Sequence, residues 1–235
     1  MSVRVDGAVQ PAADLLPLFV WLSPAYPVGA FAYSHALEWA VETGAVRNVH
    51  GLIGWVDDLL HHGGPFSDAV LLAHAYRATV SADDGALREV LELAAAFAPS
   101  RERQMETLNQ GDAFMAATRL AWPGPVLDRL PEIWAGRVAY PAAVGLAAAA
   151  HGLPLPASLS AYLGAVAANL ISAAVRLVPL GQTDGNRAIA AVTPVVRHVA
   201  LKAVGERLER LGGCALASDI ASMRHETQYT RLFRS

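Results

Sequence analysis

The chain has 235 residues, of which 54% are hydrophobic and 17% are charged, so it can bury a sizeable core. Its formal net charge is -3, and an excess of basic over acidic side chains is confined to residues 197–235. This distribution excludes the domain-wide basic surface of nucleic-acid-binding proteins, and it leaves a basic C-terminal segment suited to an acidic protein surface.

The N-terminal residues and the cysteine content indicate a cytoplasmic protein. Arg4 and Asp6 precede any apolar run, and Pro11 and Asp14 follow, which is not the pattern of a signal peptide. Cys214 is the only cysteine, so an internal disulfide and a cysteine-rich zinc site are excluded. We therefore expect no export and a reducing compartment.

Residues that typically start or end helices divide the first half of the chain into helical segments. Apolar residues at 87, 90, 91, 94 and 97 share one helical face, whereas the period-two alternation of strands is hard to find. Helices are predicted to start at Asn48, Ser67, Asp83 or Asp84, and Ser100. They are predicted to end at Gly44, Gly63–Gly64, Val80, Pro99 and about Ala121.

The second half reads in the same way. Residues 122–126 (WPGPV) are predicted to form a turn, Pro141 to begin a helix that Gly152 ends, and Ser158 to begin an apolar helix. After a loop over 177–185, a helix is predicted from about Asn186 to about Leu211, with a kink at Pro194. The sequence thus predicts an all-α fold, a single compact domain over 1–235 with about eight to ten helices.

An uncharged stretch over residues 138–175 raises the alternative of a membrane span. Pro141, His151, Pro154 and Pro156 interrupt it, and its longest unbroken part is rich in alanine with several serines. Insertion favours a higher density of Leu, Ile, Val and Phe, so a buried core helix is the preferred interpretation.

Motifs of several enzyme classes are absent from the sequence. Lys202 is the only lysine and follows no glycine-rich loop, which excludes a P-loop nucleotide site. No Gly-x-Ser-x-Gly elbow of a serine hydrolase occurs. A nucleophilic role for Cys214 is disfavoured against an ordinary buried thiol.

Metal chemistry remains the main rival, because the chain has eight histidines. His35 is expected to share a helical face with Glu38 and Glu42, and His61 and His62 end another helix. No repeated Glu-x-x-His pair of a helical di-metal site is present. A nickel-binding protein or metalloenzyme using His35, Glu38, His61 and His62 is kept as the alternative function, although no metal ligand or cofactor is assigned.

Two further segments are unusual for a plain core. Residues 22–34 (LSPAYPVGAFAYS) combine two prolines, a glycine and three aromatic residues ahead of a helix that carries Glu38. Residues 218–235 (SDIASMRHETQYTRLFRS) mix apolar and aromatic residues with three arginines. Arginine and tyrosine concentrate binding energy at interfaces, so a docking segment and a terminal helix packed on its own domain are both open.

These two segments and residues 177–185 (LVPLGQTDG) resemble the UreF family of urease accessory proteins, in the same order and across nearly the whole chain. The resemblance implies an all-α homodimer without an enzymatic reaction. It also implies a scaffold that joins UreD, also called UreH, and the UreG GTPase, and assists nickel insertion into apo-urease. At His35–Ala36 the sequence departs from the family, which commonly has glycine before the Leu-Glu pair.

The resemblance also implies three sets of site residues, with 218–235 as a tail that docks on a partner and with no role for membrane or nucleic acid. The set expected to face UreD comprises Arg224, His225, Glu226, Tyr229, Arg231, Leu232, Phe233 and Arg234. The set expected to face the GTPase comprises Arg176, Pro179, Gly181, Gln182 and Asp184. The N-terminal motif comprises Pro24, Pro27, Gly29, Phe31, Tyr33, Ser34 and Glu38.

Overall fold

Helices make up most of the chain in the computed structural model, which describes residues 14–235. Eleven α-helices and two 3-10 turns, Ala30–Ala32 and Leu208–Arg210, occur in this range, and no strand does. The helices, α1 to α11 in chain order, are Leu16–Trp21, Leu37–Glu42, Val49–His62, Gly64–Val80, Asp84–Ala96, Arg101–Ala121, Pro125–Ile133, Tyr140–Ala150, Leu155–Leu177, Gln182–Gly205 and Leu216–His225. The predicted all-α class is confirmed. The residues on which the expectation of no export mainly depends, 1–13, lie outside the described range.

Side-chain caps start three of the helices where the sequence predicts them. The carboxamide oxygen of Asn48 accepts a hydrogen bond from the amide of Gly51 at 3.0 Å. A carboxylate oxygen of Asp83 accepts one from the amide of Ala86 at 2.9 Å. Ser100 caps α6 in the same way. Each cap satisfies an amide that lacks a partner within the helix, which is why these boundaries are readable from local sequence.

Five other boundaries were wrong, and proline explains three of them. Helix α4 starts at Gly64 rather than Ser67, and α9 at Leu155 rather than Ser158, because prolines occupy their first turns. Pro125 likewise opens α7 inside the segment predicted to be a turn. Helix α10 starts at Gln182, runs through Pro194 and ends at Gly205, six residues before the predicted end.

Helix α8 lies at the centre of the core, where it packs against α4 and α6. It is rich in alanine and contains Gly145, and its residues 140–148 are all buried. Small side chains allow close approach of neighbouring helices. At Gly145 the carbonyl of Leu72 occupies the space that a Cβ atom would need.

Helices α9 and α10 are long and apolar enough to cross a membrane by length and composition alone. In the most apolar 18-residue part of α9, more than half of the residues are buried inside the chain, as in a core helix of a soluble protein. In the corresponding part of α10, a third of the residues are buried. The two helices pack against each other, and α10 also covers α3. The burial of α9 agrees with the preferred interpretation of the uncharged stretch.

We expect Gly145→Ala to destabilise the protein by about 1–3 kcal/mol, because the new methyl group meets main-chain atoms of α4 that cannot move independently. Gly164→Ala in α9 is the matched control. A Cβ at that position contacts nothing, so the change should leave stability unchanged or raise it by up to about 1 kcal/mol. Urea unfolding of both variants measures the difference, and equal effects would contradict the packing described for α8.

Candidate functional site

The carboxylate of Glu38 holds the main chain of the C-terminal segment. Glu38 lies in the first turn of α2 and is buried. Its two oxygens accept the amides of Leu232 at 2.7 Å and Phe233 at 2.9 Å. Hydrogen bonds to a charged acceptor in a buried place are stronger than neutral ones, so this one side chain fixes the direction of the segment.

The last residues of the segment also pair with the main chain of the N-terminal motif. The amide of Arg234 donates to the carbonyl of Ala32 at 2.8 Å. The amide and hydroxyl of Ser34 donate to the main-chain oxygen of Ser235 at 2.8 and 2.7 Å. Residues that are about 200 positions apart in the sequence are therefore joined by main-chain hydrogen bonds.

His225 forms a second attachment, between two carboxylates. Its fully buried imidazole lies 2.6 Å from Glu102 through Nδ1 and 3.4 Å from Glu38 through Nε2. Arg231 donates to the other oxygen of Glu102 at 2.6 Å. A neutral imidazole has one N–H, so donation to both carboxylates requires the imidazolium form. The contacts of His225 thus attach α11 to both α2 and α6.

Arg176, at the end of α9 and directly before the third family segment, contacts both of the other segments. Its guanidinium donates to the carbonyl of Phe31 at 3.0 Å and lies 4.4 Å from the centroid of the Phe233 ring. Phe233 is buried beneath it. A guanidinium over an aromatic face is attracted by the ring quadrupole. The N-terminal motif, the end of α9 and the C-terminal segment therefore meet at one site.

A buried ionic cluster lies under this meeting point. Glu106 of α6 contacts Arg103, the Nε2 of His35 at 2.7 Å and the Nε2 of Gln110 at 3.1 Å, and it accepts the hydroxyl of Ser235. Burial opposes ionisation of Glu106. The positive charge of Arg103 and the contact with His35 have a larger, opposite effect, and they hold the pKa of the Glu106 carboxyl well below its usual range.

The backbone ahead of α2 adopts an unusual conformation. His35 and Ala36 have φ angles of 52° and 63°, in the left-handed region that favours glycine. This gives a physical reason for the glycine that the family commonly has before the Leu-Glu pair. It also shows that one expectation was wrong: His35 precedes α2 and does not share a helical face with Glu38 and Glu42.

The residues predicted to face UreD divide into two groups. His225 and Phe233 point into the chain, where they anchor the segment. Tyr229 is fully exposed and Leu232 is 65% exposed, whereas Glu226 accepts the amide of Arg101. Side chains that remain exposed to solvent are those of Arg224, Glu226, Tyr229, Arg231, Leu232 and Arg234.

The other two predicted sets are placed as follows. Pro179, Gly181 and Gln182 are exposed at the turn between α9 and α10, and Asp184 pairs with Arg187 within α10. In the N-terminal motif Tyr33, Ser34 and Glu38 are buried, and Ser34 and Glu38 contact the C-terminal segment. The exposed residues of this motif are Pro24, Pro27 and Phe31, whereas Gly29 is partly buried and has a φ angle of 71°.

Sequence reasoning missed the carboxylates of α6 and the outer face of α11. Glu102 and Glu106 complete the site, but the sequence 101–106 (RERQME) is typical of any solvated helix, so no local signal marked them. Leu216, Ile220 and Met223 follow a spacing of four and three residues and are 54–63% exposed. That spacing was a readable signal of an apolar helical stripe.

The four residues of the alternative metal site are not brought together as ligands. His35 contacts Glu106 and Glu38 contacts His225, while the ring of His61 lies beside those of His62 and His198. Within residues 14–235, no group of three or more His, Cys, Asp or Glu side chains is arranged to hold a metal ion.

Comparison with known proteins identifies the family of this chain. A model of the UreF family matches residues 46–193. The chain is 51% identical to the urease accessory protein UreF of Rhodopseudomonas palustris (strain TIE-1), over the full length of both chains. This chain belongs to the UreF family.

Two further relatives match with similar coverage. UreF of Xanthobacter autotrophicus (strain ATCC BAA-1158 / Py2) is 54% identical across 94% of this chain and 91% of its own length. UreF of Bradyrhizobium diazoefficiens is 49% identical across 98% of this chain and 95% of its own length. Both matches extend well beyond the range 46–193, so the resemblance of this UreF chain to its relatives is not confined to its central helices.

We expect Glu38→Gln to loosen the C-terminal segment without unfolding the helical core. The substitution removes the charge that accepts two amides and faces His225, so the opening equilibrium of the segment should rise about 10-fold to 100-fold. Trypsin cleavage at Arg224, Arg231 and Arg234 measures this opening. Glu89→Gln on the exposed side of α5 is the control, and equal cleavage of the two variants would contradict the role of Glu38.

The cluster around Glu106 predicts a pH dependence of stability. The folded-state pKa of Glu106 lies below its unfolded value of about 4.5, so its contribution is complete above that pH and is lost as the pH falls. Glu106→Gln should cost about 3 kcal/mol at pH 7. Below pH 4.5, the difference in free energy of unfolding between wild type and variant should shrink by about 1 kcal/mol per pH unit, as measured by urea unfolding. A difference independent of pH would refute the ionic role.

Proposed function

We propose that this chain is a non-catalytic scaffold of urease maturation, which joins UreD and the UreG GTPase to assist nickel insertion into apo-urease. The observation that carries the proposal is that Arg176, directly before the third family segment, contacts both the N-terminal motif and the C-terminal segment. In this proposal the protein is cytoplasmic and homodimeric, and it uses neither nucleic acid nor membrane nor a cofactor of its own.

The C-terminal segment is assigned to UreD, and the division of its side chains supports this. His225 and Phe233 position the segment, while Tyr229 and Leu232 offer large apolar surface that nothing in residues 14–235 covers. Arg224, Arg231 and Arg234 of the same segment are also exposed. Tyrosine and arginine side chains are enriched at the energetic centres of protein interfaces.

The turn after α9 is assigned to the GTPase, with Pro179, Gly181, Gln182 and Asp184 as its surface. The guanidinium of Arg176 already donates to Phe31 and stacks on Phe233. An arginine finger must be free to reach a transferred phosphoryl group. These contacts favour a role in which Arg176 holds the surface in place and the protein positions UreG without supplying a catalytic charge.

The double variant Tyr229→Ala and Leu232→Ala tests the proposal without removing the anchors of the segment. We expect it to fold normally and to weaken binding of UreD at least about tenfold, since exposed apolar centres dominate such interfaces. A pull-down combined with light scattering measures complex formation with UreD, alone and with UreG. Leu120→Ala, at an exposed residue at the end of α6, is the control. Unchanged binding by the double variant would refute the assignment of this surface.

A further inference from the structure

The outward face of α11 carries an apolar stripe that is open to solvent. Its residues are Leu216, Ile220 and Met223, with exposed fractions of 63%, 55% and 54%. Ala221 and His225, on the opposite face of the helix, are buried where α11 packs on α2 and α6. Single exposed apolar residues are ordinary, but a continuous stripe of them marks a surface that another molecule covers.

Opposite charges lie along the two edges of this stripe. With 3.6 residues per turn, Asp219 lies about 70° to one side of the stripe and Arg224 about 70° to the other. Within residues 14–235 neither side chain forms an ion pair. Burial beside the stripe raises the pKa of the Asp219 carboxyl, so its charge lacks compensation within the chain.

The spacing of these charges fits a second, parallel copy of the same helix. Where two parallel helices pack along an apolar stripe, a residue at one edge faces the residue five positions later at the opposite edge of the other helix. Asp219 and Arg224 are five positions apart, so each carboxylate would face the guanidinium of the other copy. In an antiparallel pair like edges meet, and the carboxylates would lie on the same side. The charges therefore select both the occupant and its orientation.

The apolar residues suit the same arrangement. In a parallel pair, equivalent side chains of the two helices meet in layers, here those of Leu216, Ile220 and Met223. A β-branched residue in one layer and leucine in the neighbouring one favour two strands over three or four. The order of residues in the stripe thus agrees with a pair of helices.

The uncovered surface extends beyond α11 at the start of the helix. Leu216 lines a groove of about 260 Å³ together with Trp55 and Leu59 of α3. The Nε1 of Trp55 is buried and has no hydrogen-bond acceptor within residues 14–235. A buried donor without an acceptor is unusual, and contact with another chain at this groove can supply one.

We propose that α11 is a contact between two copies of this chain, which pair in parallel along the apolar stripe with an Asp219–Arg224 ion pair at each edge. The inference rests on the homodimeric state in the proposed function and adds the face that forms it. Arg224, which the family resemblance assigns to UreD, is then engaged within the homodimer. Tyr229 and Leu232 remain free for UreD.

Charge reversal tests the contact in the full chain without any other protein. Asp219→Arg and Arg224→Asp each place like charges at both edges of the pair, so the dissociation constant of the homodimer should rise at least about tenfold. Sedimentation equilibrium measures this constant. Glu92→Arg, on the exposed side of α5, is the matched control and should leave it unchanged. A monomeric wild type, or reversal variants that dimerise as tightly as wild type, would overturn the proposal.

An equal mixture of the two single variants makes the test independent of damage to α11. In the mixed dimer both edges again bring opposite charges together, so its dissociation constant should return to within about threefold of the wild-type value. The mixed dimer contains the same altered helices as the single variants. Recovery therefore supports the parallel contact, whereas a mixture that dimerises no better than either variant alone would refute it.

Cysteine cross-linking checks the orientation of the helices. In chains that carry Cys214→Ser, the changes Ile220→Cys and Met223→Cys each bring two equivalent positions together in a parallel pair. We expect both chains to form a disulfide-linked dimer on mild oxidation, while Ala191→Cys on the exposed side of α10 does not. An antiparallel pair has only one position at its axis, so cross-linking at 220 or 223 alone would contradict the proposal.

The outcome is separable from that of the pull-down with UreD, because sedimentation and cross-linking use this chain alone. Failure of the Tyr229 and Leu232 variant to affect UreD binding would leave the α11 contact standing. Conversely, reversal variants that stay dimeric but lose UreD would assign the stripe to UreD. That result would overturn this inference and leave the proposed function intact.

Discussion

The carboxylate of Glu38 is the interaction on which the arrangement of the site depends. It accepts two main-chain amides of the C-terminal segment and faces His225, and each of these contacts joins α2 to a part of the chain almost 200 residues away. Desolvating a carboxylate is costly unless hydrogen bonds compensate it, and here three groups of the segment do so. The C-terminal segment thus completes the environment that α2 requires.

The same segment also links Glu38 to the ionic cluster below. Ser235 bonds both Ser34 and Glu106, and Phe233 supports Arg176 at the end of α9. Displacement of the segment would therefore leave several buried polar groups without partners. Such a structure favours two states, a docked and an undocked segment, over gradual movement.

Most of the fold was predictable because its signals are local, whereas the site was not. Asn48, Asp83 and Ser100 act within four residues, so their caps could be read directly. Prolines in first helical turns moved other boundaries by about three residues. The family resemblance identified the three segments, but it did not show that His225 faces inward. It also did not show that His225 contacts Glu102 or that Ser235 contacts Glu106, since the residues of each pair are more than 120 positions apart. Long-range charge pairing leaves no local periodicity to read.

Amide hydrogen exchange of the free protein by NMR tests the central claim most directly, because the amides of Leu232 and Phe233 donate to Glu38. The account predicts that both amides exchange at least about a hundredfold more slowly than the same residues in an unstructured peptide. The amide of Thr230, in the same segment, serves as an internal comparison. Exchange of Leu232 and Phe233 at the rate of the unstructured peptide would show that the segment is not docked on α2, and would contradict the account.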